Sequence, residues 1–430
     1  MTYNRRKFIR KGGQLMGLTA LSTFLSPACA QAIQDAVEAN VHTSPQALAK
    51  DELFWQQIRQ AYSVAATIIN LNNGGLSPHA RSVQDAVDYY HHLCNELPTI
   101  NMWRRLRIEQ MVVRRKLAEL AGCGAHEIAL MRNTVEALSN VIHGLTLQKG
   151  DEVVLSKQDY PHMIHAWKQR AEREGIVLKW VDWDFPIEDK AVMIQQYTSQ
   201  FTDRTKVAHI THVINWNGQV LPVREIAQIA RQRGIEVVVD AAQSFGQIPF
   251  HIPDLACDYL GTSLHKWLGG PFGTGMLYVR KDKIKGLYPL FAMDNPRDDK
   301  IGKFEIQGTI SIPSQIAVAN AIDFHHVIGT EQKFHRLQYL KNYWIDKIQH
   351  LDKIKILSPR QEAYSTAIGT IAVENEPASQ LNEFLFKEYR IHCTYVNWEK
   401  IHGVRISPNV YTLTKELDVL VEALQRYVQT

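Results

Sequence analysis

Short apolar runs alternate with amphipathic patterns through the middle of the chain. Runs of aliphatic and β-branched residues, each about as long as a buried strand, lie at 152–156, 177–183, 206–213, 235–240 and 273–279. Between them, apolar residues recur at helical spacing at 134–145, 162–173 and 222–234. This alternation predicts an α/β fold with a mainly parallel central sheet flanked by helices. Ligands of such sheets bind at the carboxyl ends of the strands, so polar residues there are the candidates for a site.

The pattern changes on both sides of this α/β region. Residues 31–66 have the pattern of a mainly helical lead-in, and the large α/β domain is expected to extend over 67–300. From 301 to 430, longer helices with few strands predict a smaller C-terminal α+β domain.

The first 30 residues have the pattern of an export signal. An arginine pair at 5–6 lies in a basic start, an apolar run covers 15–25, and the small residues Ala-Cys-Ala occupy 28–30. The apolar run is too short for a membrane-spanning helix. The arginine pair resembles the twin-arginine signal of bacteria, so we expect the twin-arginine machinery to export the protein to the periplasm or beyond, with cleavage after Ala30. Lipid attachment at Cys29 and a disordered basic tail are the alternatives.

Charge and cysteine content exclude several classes of function. The chain has 48 Lys and Arg against 44 Asp and Glu, and five of the basic residues but no acid lie in the first 30 positions. The remaining 43 basic and 44 acidic residues nearly balance, so no nucleic acid or anionic membrane is expected as a partner. The four cysteines outside the signal are far apart and form no CxxC pair, which argues against a disulfide framework and against a metal site.

Two strand-like runs end in residues that suit a pyridine cofactor. One ends in Asp240, the first residue of the sequence DAAQ, and the other ends in SLHK, whose last residue is Lys266. A lysine can form a Schiff base with an aldehyde, and a buried acid can keep a ring nitrogen protonated so that the ring accepts electrons. Together these residues predict a pyridoxal 5'-phosphate site.

The two motifs resemble those of the class V aminotransferase family of fold-type I pyridoxal-phosphate enzymes, in particular its isopenicillin N epimerase-like branch. Matching motifs cover nearly the whole chain after the signal. The resemblance implies that Lys266 carries the cofactor and that Asp240 pairs with its ring nitrogen. It also implies that Gln243 bonds the phenolic oxygen and that Ser263 and His265 bind the phosphate.

Other segments resemble further motifs of this family. Thr134 begins a helix whose amides would face the phosphate, and Val135 would contribute its backbone N–H where the family often has a second hydroxyl. The resemblance places Asn215 near the cofactor and the substrate, and Tyr160 where an aromatic ring stacks on the cofactor. Arg405 would bind the substrate carboxylate in a bidentate fork.

Two residues bear on assembly and on the type of reaction. Thr309, in FEIQGT, resembles a threonine that reaches the phosphate of the neighbouring subunit, which implies a homodimer with shared active sites. Cys393 lies in the strand-like run 391–396 and is expected in the core. A core position argues against the persulfide chemistry of cysteine desulfurases.

The sequence therefore predicts an exported enzyme that acts on the Cα of an amino acid. The substrate amine would replace Lys266 on the cofactor, and the freed Lys266 would remove the Cα proton. If Tyr160 then gave a proton to the opposite face of Cα, the result would be epimerisation. If the proton went to the cofactor carbon, the result would be transamination. A C–S lyase or desulfurase-like reaction is the alternative, and a non-catalytic binding protein of the same fold is another.

Overall fold

The computed structural model describes residues 26–429. Its helices are α1 (Pro27–Ala39), α2 (Pro45–Leu48), α3 (Glu52–Arg59), α4 (Arg81–Glu96), α5 (Leu106–Ala121), α6 (Thr134–Gly144), α7 (Pro161–Glu174), α8 (Lys190–Thr198), α9 (Val223–Gln232), α10 (Lys281–Ile284), α11 (Ile312–Ile328), α12 (Thr330–Ile348), α13 (Ala378–Tyr389) and α14 (Thr414–Gln429). Its strands are β1 (Ile69–Asn70), β2 (Ile128–Met131), β3 (Glu152–Ser156), β4 (Val177–Val181), β5 (Thr205–Thr211), β6 (Glu236–Asp240), β7 (Tyr259–Ser263), β8 (Gly275–Val279), β9 (Ile354–Ile356), β10 (Gly369–Val373), β11 (Ile391–His392), β12 (Thr394–Trp398) and β13 (Ile401–Ile406). Short helical turns lie at Pro98–Ile100, Asn101–Arg105, Ala125–Glu127, Ile252–Leu255, Ile301–Glu305 and Glu362–Tyr364.

Within residues 26–429, the central sheet has seven strands in the order β2-β8-β7-β6-β5-β3-β4. Strand β8 runs antiparallel to both of its neighbours, and the strands from β7 to β4 run parallel to one another. The predicted α/β fold with a mainly parallel sheet is therefore confirmed. The five apolar runs agree with β3, β4, β5, β6 and β8 to within a few residues, whereas β2 was not predicted.

Apolar clusters cover both faces of the central sheet. In β6, Val237 and Val239 belong to one buried cluster, whereas Val238 belongs to another on the opposite face. Successive side chains of a strand point to opposite faces, so a strand that is apolar along its length needs cover on both sides. Polar groups can then face a ligand only at the strand ends.

The C-terminal part contains a second sheet, which has four antiparallel strands, β12-β13-β10-β9, among the described residues. Strand β1 pairs in parallel with β11 of this part, with Ile69 opposite Ile391. Helix α11 packs against α4 and α5. Contacts between the two parts therefore lie on both sides of the predicted limits near 67 and 300, and the predicted domain limits stay a prediction.

The predicted export signal falls mostly on residues 1–25, which lie outside the described residues. Residues 26–30 begin α1, whose Cys29, Ile33 and Val37 are buried. The predicted cleavage site after Ala30 therefore lies within a helix. From 26 to 429, no helix combines the length and the apolar character needed to cross a membrane.

Two glycines bring α6 close to the sheet. A Cβ on Gly261 would lie 2.7 Å from a side chain of α6, and a Cβ on Gly275 would lie 2.7 Å from the backbone of Asn133. A larger residue at either position would push the N-terminus of α6 away from the end of β7. The close approach lets Thr134, the first residue of α6, reach Ser263, the last residue of β7.

Candidate active site

A cavity of about 410 Å³ opens at the carboxyl ends of β5, β6 and β7. The N-terminus of α6 also lines it, and β12 and β13 of the second sheet form another part of its wall. Residues that the sequence predicted in this wall are Thr134, Val135, Tyr160, Asn215, Asp240, Gln243, Ser263, His265, Lys266 and Arg405. The fold therefore gathers residues from distant parts of the chain around one cavity.

Lys266 and Asp240 form the charged centre of the cavity. Asp240 Oδ1 accepts the backbone N–H of Ala242 at 2.9 Å. Burial raises the pKa of Asp240, and the Ala242 N–H and Lys266 act in the opposite direction. Burial lowers the pKa of Lys266 from 10.5 to about 8, an effect that Asp240 opposes and Arg405 reinforces. A neutral, nucleophilic amine is thus accessible near neutral pH.

Backbone N–H groups and two hydroxyls lie together at the N-terminus of α6. The N–H of Thr134 donates to Ser263 Oγ at 2.9 Å, and the two hydroxyl oxygens lie 2.7 Å apart. Asn133 caps the helix by accepting the N–H of Glu136 at 2.9 Å. Val135 follows in the cavity wall. The N-terminus of a helix leaves N–H groups and a partial positive charge, so this corner suits an anion such as a phosphate.

His265 lines the cavity as a neutral imidazole. Its Nδ1 lies 3.0 Å from the carbonyl oxygen of Thr274, which can only accept, so Nδ1 carries the hydrogen. Burial, and after it Lys266, lowers the pKa of His265 to about 4. Its Nε2 therefore has a lone pair at neutral pH and donates to a phosphate oxygen only after taking up a proton. The phosphate-binding role of His265 stays a prediction.

Arg405 is a buried guanidinium with no carboxylate partner among residues 26–429. Its Nη1 donates to the carbonyl oxygen of Asn215 at 2.9 Å, and its Nη2 donates to Asn72 Oδ1 at 3.0 Å. Its Nε has no hydrogen-bond partner in the described part of the chain. Burial lowers the pKa of Arg405 to about 10, so the group is charged at neutral pH. A buried cation without a counter-ion favours an anionic ligand, as the predicted substrate carboxylate would be.

Tyr160 lies in the cavity wall just before α7. Its ring stacks on His162, with the ring centroids 5.2 Å apart and an interplanar angle of 17°. Lys266 Nζ lies 6.0 Å from the centroid of the Tyr160 ring. The preceding residue, Asp159, is buried and accepts the Thr211 hydroxyl at 2.7 Å, which ties the loop to the end of β5. Tyr160 therefore faces the cavity from a well-anchored loop.

Thr309 and Cys393 lie outside the cavity wall. Thr309 is exposed on the turn that follows Ile301–Glu305, and its contact with a neighbouring subunit stays a prediction. Cys393 is buried between β11 and β12, as its strand-like setting predicted, and its Sγ lies 3.3 Å from Asn382 Oδ1. Burial raises the pKa of Cys393 to about 12. A buried, protonated thiol is not suited to nucleophilic attack.

Several parts of the wall were not predicted from the sequence. Gly74 and Gly75 follow β1, Trp216 follows β5, and residues 394–396 belong to β12. The glycine pair after an apolar run is a local signal of a loop that approaches a ligand. Trp216 and residues 394–396 have no comparable local signal, because only the packing of the two sheets brings them to the cavity.

Comparison with known proteins agrees with this geometry. A family model described as aminotransferase class-V matches residues 68–420. The chain belongs to the class V aminotransferase family. It is 28% identical over 390 residues to an isopenicillin N epimerase of Streptomyces clavuligerus, covering 86% of this chain and 97% of the relative. It is 26% identical over 383 residues to a cysteine desulfurase of Haloferax volcanii, covering 83% of this chain and 88% of the relative.

Solved structures share the fold-type I architecture. A cysteine desulfurase from Thermococcus onnurineus matches with a TM-score of 0.76 and 22% identity, over 87% of this chain and 98% of the other. A cystine C–S lyase, in complex with its product cysteine persulfide, matches with a TM-score of 0.75 and 22% identity, over 84% and 97% of the two chains. This likeness supports the fold and does not distinguish between reactions of the family.

The chemistry of the cavity wall fits pyridoxal phosphate. Lys266 supplies an amine with a lowered pKa, and Asp240 supplies a buried carboxylate beside it. Thr134 and Ser263 meet at a helix N-terminus that can accept a phosphate. Arg405 lies in the same wall and can bind a second anion, such as the carboxylate of an amino acid that reacts with the cofactor.

We expect apoprotein to bind pyridoxal phosphate covalently at a rate that rises with pH through about 8. The attacking group is the neutral amine of Lys266, and its lowered pKa makes that form available below the ordinary range of lysine. The growth of the visible absorption band after mixing, followed over a series of pH values, measures this rate. In the Asp240→Asn variant the rise should move to lower pH, because the charge that raises the pKa of Lys266 is gone. A wild-type rise centred at about pH 10 or above, as for an exposed lysine, would contradict the assignment.

Proposed function

We propose that the protein is a pyridoxal-phosphate-dependent enzyme that acts on the Cα of amino acids in an epimerase-like or aminotransferase-like reaction. The observation that carries this proposal is the presence of Lys266 and the unpaired guanidinium of Arg405 in one cavity. One group can form a covalent bond with an aldehyde and the other can hold a carboxylate. Isopenicillin N epimerases that align over most of the chain add support.

The residues of the cavity have separate tasks in such a reaction. Pyridoxal phosphate supplies an electrophilic carbon for the substrate amine and a ring that accepts electrons from Cα. Arg405 binds the substrate carboxylate with the N–H groups that Asn215 and Asn72 leave free, and thereby fixes the orientation of Cα. Lys266 Nζ takes the Cα proton, a step favoured by a pKa near the working pH. Asp240 keeps a negative charge available to a protonated ring nitrogen.

Tyr160 is the candidate for returning a proton to Cα with inversion. Tyr160 and Lys266 both border the cavity, and Lys266 Nζ lies 6.0 Å from the centroid of the Tyr160 ring. The phenol of Tyr160 and the amine of Lys266 are therefore both available to exchange a proton with Cα of one substrate. Cys393 is buried outside the wall, which argues against a persulfide-forming reaction. These two observations favour epimerisation or transamination over desulfuration.

Incubation of purified holoenzyme with a panel of L-amino acids in deuterated water tests the reaction. We expect deuterium at Cα of at least one amino acid, together with its D-enantiomer for an epimerase or a keto acid for an aminotransferase. Release of the β-substituent would instead show a lyase. Failure of every amino acid to take up deuterium would contradict the proposal and favour a binding protein.

In the same assay, Tyr160→Phe should slow inversion by about 100-fold or more, because a general acid is lost. Deuterium exchange with retained configuration should continue, since Lys266 still removes and returns the proton. Tyr339→Phe on α12 is the matched control and should leave both rates unchanged. Inversion by Tyr160→Phe at the wild-type rate would exclude Tyr160 as the second acid.

We also propose that the protein is a homodimer. Exposed apolar side chains crowd the stretch from 97 to 112, namely Leu97, Ile100, Trp103, Ile108, Met111 and Val112. An apolar surface of this kind is typical of a protein interface. Sedimentation should give about twice the mass of one chain, and Ile108→Glu should shift the protein toward the monomer. A wild-type monomer at micromolar concentration would contradict the dimer and the trans role of Thr309.

The N-terminal arginine pair supports a further proposal, export by the twin-arginine machinery. The full chain produced in bacteria should then appear outside the cytoplasm, and a variant with Lys in place of both Arg5 and Arg6 should stay inside. Recovery of the unaltered chain in the cytoplasmic fraction alone would contradict export.

A further inference from the structure

The side-chain amide of Gln243 is held at both of its polar atoms. Its Oε1 accepts the indole N–H of Trp267 at 2.7 Å, and its Nε2 donates to the carbonyl oxygen of Gly74 at 2.8 Å. Gln243 is buried and lines the cavity, as does Gly74. The two bonds leave one amide hydrogen of Nε2 unused.

The chemistry of the two partners fixes the direction of this amide. An indole N–H can only donate, and a backbone carbonyl can only accept. Turning the amide over would set two donors against each other at Trp267 and two acceptors against each other at Gly74. Gln243 is therefore held with its oxygen toward Trp267, and Nε2 keeps one N–H that Gly74 does not use.

Trp267 is itself fixed in place. It is 1% exposed, and its carbonyl oxygen accepts a hydrogen bond from Nζ of Lys333, a buried residue of α12. The loop that carries Gln243 touches this segment, since a Cβ on Gly246 would lie 2.8 Å from the backbone nitrogen of Leu268. The indole thus approaches the amide between two closely packed loops.

Other indoles of this protein are bonded differently or not at all. The buried Trp55 donates its N–H to a backbone carbonyl, that of Leu48, at 2.8 Å. Among the described residues, the N–H groups of Trp167, Trp183 and Trp344 are buried without a hydrogen-bond partner. The indole N–H of Trp267 differs from both kinds, because its acceptor is a side chain of the cavity wall.

We propose that Trp267 is a positioning residue that makes Gln243 present an N–H, and not its oxygen, to the phenolic oxygen of pyridoxal phosphate. This inference rests on the proposed placement of the cofactor at Lys266. A donor at this position stabilises the oxygen as an anion, so it lowers the pKa of the bound chromophore. The residue next to the attachment lysine would thus set the protonation state of the cofactor through a side chain of a different loop.

The pH titration of the visible absorption of the holoenzyme tests this role without an activity assay. In Trp267→Phe the amide oxygen loses its donor and only Gly74 still opposes turning of the amide, so we expect the pKa of the bound cofactor to rise by about half a unit to one unit. Trp344→Phe removes the same atoms from a buried indole without a partner, and it should leave the titration unchanged. A Trp267→Phe titration that coincides with wild type would overturn the proposal.

A double-mutant cycle separates positioning from a general packing effect. Gln243→Met should raise the pKa at least as much as Trp267→Phe does, and adding Trp267→Phe to it should cause no further rise. An equal additional rise in the Gln243→Met background would show that Trp267 acts by another route and would overturn the proposal.

The indole N–H signals of the protein provide a measurement that needs neither the folding of Trp267→Phe nor the cofactor. In apoprotein, Gln243→Met should move one indole signal and speed its hydrogen exchange, because Trp267 loses its acceptor. Unchanged indole signals would overturn the proposal. A wild-type protein without a visible band after reconstitution would speak against the proposed cofactor site, whereas the indole measurement would still decide whether Trp267 holds Gln243.

Discussion

A lysine ammonium and a carboxylate lie buried together at the carboxyl edge of the central sheet, and the function of the cavity depends on their mutual stabilisation. Burial alone would favour the neutral form of both side chains, because it lowers the pKa of Lys266 and raises that of Asp240. Each charge opposes the effect of burial on the other. Parallel strands make the pair possible, since β6 and β7 end at the same edge and Asp240 stands in register with Gly261 of β7.

The cavity also depends on the C-terminal part of the chain. Arg405 belongs to β13 of the second sheet, yet its guanidinium is held by Asn215 from the loop after β5 and by Asn72 from the loop after β1. Three segments far apart in the sequence therefore hold the cation that would bind a substrate carboxylate. Because the cavity wall has residues of both parts, a shift of one sheet against the other would move Arg405 relative to Lys266.

The sequence predicted what depends on local pattern, and it missed what depends on contacts between distant segments. Apolar runs predicted every strand of the central sheet except the edge strand β2, and the sequences DAAQ and SLHK predicted residues at the ends of β6 and β7. The tautomer of His265 depends on the carbonyl of Thr274, and the direction of the Gln243 amide depends on Trp267. Neither bond leaves a trace in spacing or composition, because each is set by how two loops pack. From the sequence, Trp267 was a packing residue that could also border the site because it follows the lysine, and its bond to Gln243 was not predicted.

If Lys266 is the covalent anchor of the cofactor, borohydride reduction of the holoenzyme must fix the cofactor on that side chain. Proteolysis and mass spectrometry of the reduced protein then identify the modified peptide. We expect the added mass on the peptide that contains Lys266 and on no other lysine, and no modified peptide from a Lys266→Arg variant. A modification on a different lysine, or none in a protein that shows the visible band, would contradict the assignment of the site.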